Sequence, residues 1–137
     1  MKYRLLDHPA DIRLEIFGGD RKTLFENAAF ALFDLITDTT RIRRRSTQSL
    51  TIESPDLTSL FIDWMRELLY LWNGEAKIVG SVAVQSLSDN QLAVLIFYDR
   101  FVPARHPVRH EIKAVTYHQA AVRQTPSGWA ARVILDV

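Results

Sequence analysis

The sequence predicts an α+β fold: a single domain, residues 1–137, in which a mainly antiparallel or mixed β-sheet packs with two amphipathic helices. Two segments carry apolar residues at spacings of three and four, the period of a helix with one buried face. Others alternate apolar and polar residues with a period of two, as strands with one wet face do. Segments 78–84 and 92–98, separated by the turn residues Ser88, Asp89 and Asn90, have the form of a hairpin. With 137 residues the chain is long enough to bury roughly two-thirds of its unfolded surface without a metal or a disulfide.

In the first strand Ile12, Leu14 and Ile16 alternate with Arg13 and Glu15. The same period places Asp11 with Arg13 and Glu15 on the wet face, so its carboxylate need not be buried. Just upstream, Pro9 keeps His8 out of helix. Gly18-Gly19 breaks the strand, and Asp20 is positioned to cap a helix bearing Leu24, Phe25, Ala28, Ala29, Leu32, Phe33 and Ile36. Thr37-Asp38-Thr39-Thr40 stops it.

Arg41-Ile42-Arg43-Arg44-Arg45 follows, either as a solvated loop or strand face or as a docking site for phosphates or an acidic partner. No aromatic residue is interleaved there to stack on bases. Residues 49–53 form a short amphipathic strand. Ser54-Pro55 reads as a cap and first-turn proline for the second helix, with Leu57, Leu60, Phe61, Trp64, Met65, Leu68, Leu69 and Trp72 in register and Gly74 closing it. After the hairpin comes a loop over 99–110, rich in arginine and histidine, whose length suits a functional or partner-facing segment. Pro107 between His106 and His110 argues against a zinc-binding helix there. Ser127-Gly128 then turns into a buried strand over 129–135 that delivers Asp136 and Val137.

Composition removes several function classes. The chain has no cysteine, which excludes a disulfide framework, a thiolate zinc site and a cysteine nucleophile. Seventeen basic against sixteen acidic side chains give a net charge of +1, so bulk charge does not announce a nucleic-acid binder. With no leader pattern and no membrane-length apolar run, the expectation is a soluble, cytoplasmic protein with no membrane partner. There is no P-loop, GxGxxG or serine elbow.

Three oxygen donors stand out: Asp11, Asp136 and the terminal carboxylate of Val137. They are either ordinary exposed strand ends or one site for a hard divalent cation such as calcium or magnesium, depending on whether the first and last strands lie side by side. Lys113 and His118 are five residues apart, on opposite faces of an extended segment, so they do not form a catalytic pair unless the chain turns between them. His8 has no nucleophile to complete a triad.

His8-Pro9-Ala10-Asp11, Leu24-Phe25-Glu26-Asn27-Ala28-Ala29 and Glu111-Ile112-Lys113-Ala114-Val115-Thr116-Tyr117-His118, with Gly128-Trp129 and the final Asp136-Val137, resemble the archease family over essentially the whole chain. The resemblance implies a small α+β protein that is not itself an enzyme. It implies an accessory factor of the histidine-guanylate type of RNA ligase, which joins 2′,3′-cyclic-phosphate and 5′-hydroxyl ends in tRNA splicing and RNA repair. The factor promotes ligase guanylylation and turnover, and GTP and tRNA reach it only through the ligase. The alternative is a chaperone or modulator of a tRNA methyltransferase. By the same resemblance Asp11, Asp136 and Val137 hold a divalent ion, calcium, magnesium or manganese. Lys113 contacts nucleotide, RNA or ligase, and His8, Asp38 and His118 are further contact candidates. Where many family members carry a Gly-Glu pair, this chain reads Phe97-Tyr98-Asp99-Arg100-Phe101, leaving Asp99 as the substitute for the glutamate.

Overall fold

The apolar run after Gly18-Gly19 becomes the centre of the molecule. In the computed structural model, which describes residues 1–6 and 11–137, helix α1 (Arg21–Ile36) buries Leu24, Phe25, Ala28, Ala31, Leu32, Leu35 and Ile36, residues that point in several directions around its axis. A helix that is apolar on most sides has to be covered on most sides. It is: two antiparallel sheets enclose α1 and the second helix, α2 (Leu57–Glu75).

The strands are β1 (Tyr3–Leu6), β2 (Ile12–Gly18), β3 (Ser46–Glu53), β4 (Lys77–Leu87), β5 (Gln91–Arg100), β6 (Ala114–Thr125) and β7 (Gly128–Asp136). Among the described residues they form a four-stranded sheet ordered β1-β2-β7-β6 and a three-stranded sheet ordered β3-β5-β4. α1 contacts β2 and β7 of the first and β4 of the second, while α2 contacts β6, β4 and β3. The inward residues follow the period of two: Leu14 and Ile16 on β2, Val133 and Leu135 on β7, and Leu92, Val94 and Ile96 on β5 are all buried. Between the helices the Phe25 and Phe61 rings meet edge to face at 5.2 Å. The buried Trp64 indole donates from Nε1 to the Phe25 carbonyl at 2.9 Å, which satisfies its one polar atom.

Helix limits differ in detail from the sequence reading. Asp20 does cap α1, accepting from the Thr23 amide at 2.7 Å. α2, however, is capped by Asp56, which accepts from the Ser59 amide at 2.8 Å, so Pro55 precedes the cap. Ser54 instead gives its hydroxyl to Asp63. Gly74 lies inside α2; the helix ends at Ala76, whose left-handed φ of 54° lets its amide reach the Leu71 and Trp72 carbonyls. A Cβ at position 74 would meet only the ring of the exposed Tyr70, which would have to swing aside.

Two backbone features of the four-stranded sheet shape its ends. Gly128 has a φ of 142°, and a side chain there would collide with the Gly18 carbonyl, so the β6–β7 turn seats directly on the β2–α1 turn. On β6 the register shifts between Thr116 and Ala121, with Gln119 at a φ of 55°. Residues 117–120 therefore bulge out opposite Val133 alone.

Candidate functional site

The strand over 12–18 that the sequence offers as the first is β2, preceded in the structure by β1, and it lies beside the last strand, β7. β2 pairs with β7 from Gly18↔Trp129 to Ile12↔Leu135, so Asp11 and Asp136 are the immediate neighbours of the last paired couple, at the same end of the sheet. On the other side of β7, Ala114 pairs with Asp136, and the Lys113 amide donates to the Asp136 carbonyl at 2.7 Å. Three strands thus converge to bring Asp11, Lys113, Asp136 and Val137 to one tip. Asp11 is half-buried, whereas Lys113, Asp136 and Val137 are exposed.

Lys113 is delivered to the tip by the 101–113 crossover, which is strapped to the body of the protein. The Asn73 side chain donates to the Ile112 carbonyl at 3.0 Å, one residue before Lys113. At the start of the crossover His106 is buried, with Nδ1 accepting the Val102 amide at 2.9 Å and Nε2 3.3 Å from Asp99 Oδ2. Burial pulls the imidazole below its usual range and outweighs the opposing pull of Asp99. At neutral pH the ring is therefore uncharged, with its proton on Nε2 facing the carboxylate. Burial pushes the Asp99 carboxyl up, but hydrogen bonding and charge from Arg105, the Arg43 amide and His106 together hold it below the ordinary carboxylate range. Asp99 is thus committed to anchoring the strap and is not a surface counterpart of the family's glutamate.

Asp38 caps the 3₁₀ turn Thr39–Arg41 by accepting from the Thr40 amide at 3.1 Å and the Thr40 hydroxyl at 2.6 Å. Those two bonds hold its carboxyl below the ordinary range. Its carboxylate also lies 4.0 Å from Arg109, whose amide donates to the Ile36 carbonyl, so Asp38 fastens the end of α1 to the crossover. His118 is exposed in the β6 bulge, past the register shift that separates it from the tip-proximal residues Ala114–Thr116. The parity argument that opposed Lys113 to His118 does not extend through that shift. His8 lies outside the described residues. Of the arginines in the 41–45 run and in the 99–110 loop, Arg44 donates to the Gly80 carbonyl at 3.4 Å and Arg105 is spent on Asp99 at 3.1 Å.

The sequence reading passed over a different group of arginines. Glu15, assigned to the wet face of its strand, is buried. Arg4 on β1, Arg132 on β7 and Arg123 on β6 close over it, with nitrogens 3.3, 3.5 and 3.7 Å from its oxygens. The alternation did announce an outward face, but only the pairing of four strands brings these residues together.

The donor set at the tip suits a hard cation: two carboxylates at the ends of neighbouring strands, where antiparallel pairing holds side chains about 5 Å apart, can reach one ion. Among the described residues no group of three or more His, Cys, Asp or Glu side chains is placed to hold a metal. Were a cation bound there, Asp11 and Asp136 would supply only part of its shell, and the remainder would have to come from main-chain oxygen, Val137, water or a partner.

Comparison with known proteins places this architecture. The family model for the Archease protein family (MTH1598/TM1083) matches residues 3–137. The archease of Methanosarcina acetivorans is 36% identical over 140 residues, covering 99% of this chain and 96% of that protein. That of Archaeoglobus fulgidus is also 36% identical over 140 residues, with both chains covered completely. The solution structure of Methanobacterium thermoautotrophicum protein 1598 superposes with a TM-score of 0.82 at 29% identity over 99% of each chain. A Thermotoga maritima crystal structure, described as an archease and possible chaperone, shares the fold at 20% identity with a TM-score of 0.62, over 98% of this chain and 96% of that one.

Proposed function

This chain belongs to the archease family, and on that basis we propose that it is an accessory activator of a GTP-dependent RNA ligase of the histidine-guanylate type. The ligase joins 2′,3′-cyclic-phosphate and 5′-hydroxyl RNA ends, and the protein promotes its guanylylation and repeated turnover. The observation that carries this reading is the convergence of Asp11 and Asp136 at one end of the sheet, beside Lys113. A divalent ion held there supplies positive charge against the phosphates of the nucleotide. Asp11 and Asp136, with Val137 alongside, hold that ion, and the exposed Lys113 adds a second cationic group on the same tip. The Lys113–Asp136 backbone bond and the Asn73–Ile112 bond fix these groups relative to one another before a partner is met, which lowers the ordering cost of docking.

The test is multiple-turnover guanylylation and ligation with the cognate ligase, GTP and a divalent metal, comparing wild type with Asp11→Ala and Asp136→Ala. Stimulation by the wild type that falls by about tenfold or more in either variant is the expected result, since each substitution removes one of the two aspartates of the set. Undiminished stimulation by both variants would remove the tip from the mechanism. No stimulation by folded wild-type protein would reject the ligase reading itself.

One observation favours the second reading, a chaperone or modulator of a tRNA methyltransferase. Tyr70 and Val108 are 58% and 45% exposed beside shallow clefts that share Asn73 and Lys113 as lining residues. Suppression of client aggregation that survives Asp11→Ala but is lost in Tyr70→Ser would support it.

A further inference from the structure

We infer that the outward face of the four-stranded sheet binds the phosphodiester backbone of a nucleic-acid strand through Arg4, Arg123 and Arg132, with Glu15 holding the three guanidinium groups within reach of one another. Nothing in the proposed role of the tip calls for this face. Glu15 pairs across the strands with Arg4 on one side and Arg132 on the other, while Arg123 reaches it from β6. Arg13, the next outward residue on β2, extends the strip by donating from a terminal nitrogen to Gln119 in the bulge at 3.2 Å.

Donor arithmetic points to an anion. Each guanidinium carries about five N–H donors and a carboxylate accepts about four hydrogen bonds, so three arginines around one glutamate leave most of their donors for something else. Their side chains are half exposed, at 54%, 54% and 50% for Arg4, Arg123 and Arg132, so those donors face solvent. In the middle of the face Arg4, Arg123 and Arg132 surround the single carboxylate of Glu15, with Arg13 beside them, a local excess of positive charge on a protein whose overall charge is only +1; Asp11 and Asp136 share the face at its tip end. A buried glutamate on a solvent-facing sheet is otherwise hard to account for. As an organiser it has a role, because it offsets the repulsion that would otherwise drive three like charges apart.

The chemistry of the face also selects the partner class. A protein partner needs an apolar centre to its contact. Tyr70, Val108 and Tyr117 lie on α2, the crossover and the bulge; among the described residues, beside these arginines stand only the exposed Leu5 next to Arg4 on edge strand β1 and Phe17 with the Arg4 guanidinium over its ring, too little to make such a centre. Planar guanidinium groups with open donors match phosphate oxygens, and contacts to phosphate carry no base information. Binding is accordingly expected to be sequence-tolerant, similar for RNA and DNA, and weak, with a Kd of about 10⁻⁴ to 10⁻⁶ M at physiological salt.

The test uses the protein alone, without ligase or nucleotide. Fluorescence anisotropy of a labelled single-stranded RNA of about 20 nucleotides is followed from ~50 to ~200 mM salt, for wild type, Arg123→Gln, Arg132→Gln and the combined Arg4→Gln/Arg123→Gln/Arg132→Gln/Glu15→Gln variant. Glu15 is neutralised in the combined variant so that no buried carboxylate is left without a partner. Each single substitution is expected to reduce the slope of log K against log salt by about 0.7 and to weaken binding several-fold, with the combined variant near background. A labelled polyglutamate peptide is expected to bind less well than the RNA. Unchanged salt slopes in variants that keep the wild-type circular dichroism spectrum would overturn the inference. So would polyglutamate binding tighter than RNA, which would make the face a dock for an acidic protein. Neither outcome touches the ligase reading, since no ligase is present.

Discussion

At the scale of single residues the most informative position is Glu15. Period-two patterning placed it correctly on the outward side of β2, but patterning says which way a side chain points and not what lies over it. The cover comes from β1, β6 and β7, none of which is adjacent to Glu15 in sequence. Replacing Glu15 with alanine leaves three guanidinium groups crowded without a counter-charge. Because the arginines are half exposed, water screens much of that repulsion, and the expected loss is about 1–2 kcal/mol of unfolding free energy. Urea titrations should show part of the loss recovered as salt is raised, since salt screens exposed charges. An equal loss at low and high salt would assign the cost to packing instead. Asp99 teaches the complementary lesson: by resemblance it stood in for a family glutamate, yet it is buried, and its Oδ2 is engaged by Arg105 and His106 of the strap and by the Arg43 amide.

At the scale of elements, the helices were the most legible part of the chain because a 3.6-residue period repeated over four or five turns is hard to produce by accident. Their ends were less so. Ser54-Pro55 and Gly74 are both sound punctuation, but Asp56 out-competes Ser54 as cap because Ser54 is drawn to Asp63, and Ala76 takes the left-handed position two residues beyond the glycine. The crossover could be read only as a long loop, since its anchor, a buried histidine facing a buried aspartate, has no sequence period. It does carry a pH signature. His106 is held below its unfolded pKa of ~6.5, so below that pH the unfolded chain takes up a proton before the folded one does. Stability is therefore full above about pH 6.5 and declines as pH falls beneath it. Asp99, held low, adds a further loss only as pH drops below ~4, where unfolded carboxylates protonate. Thermal unfolding at pH ~7.5 and ~5.5 should show a drop in Tm for the wild type and a smaller one for His106→Asn, whose amide oxygen can still accept the Val102 amide. Equal drops in both proteins would place the titration elsewhere.

At the scale of the whole molecule, the fold class followed from local periods, but the two-sheet arrangement did not, because strand order is a matter of long-range pairing. The tip was legible only in part: its residues could be picked out, while their meeting depended on β2 lying beside β7. That adjacency makes β7 the interior strand that joins β2 to β6. A chain lacking residues 128–137 is expected to lose cooperative unfolding altogether, by circular dichroism and tryptophan fluorescence, since β2 and β6 would both lose their shared neighbour. Retention of a cooperative transition would mean that the helices and the three-stranded sheet form a unit of their own. The same adjacency bears on quality control. Asp11 is synthesised well before Asp136, and the two stand together only once β2 has paired with β7. A partner that required both aspartates would thereby be unable to engage a chain in which those two strands had not yet met, so the tip would report on long-range folding.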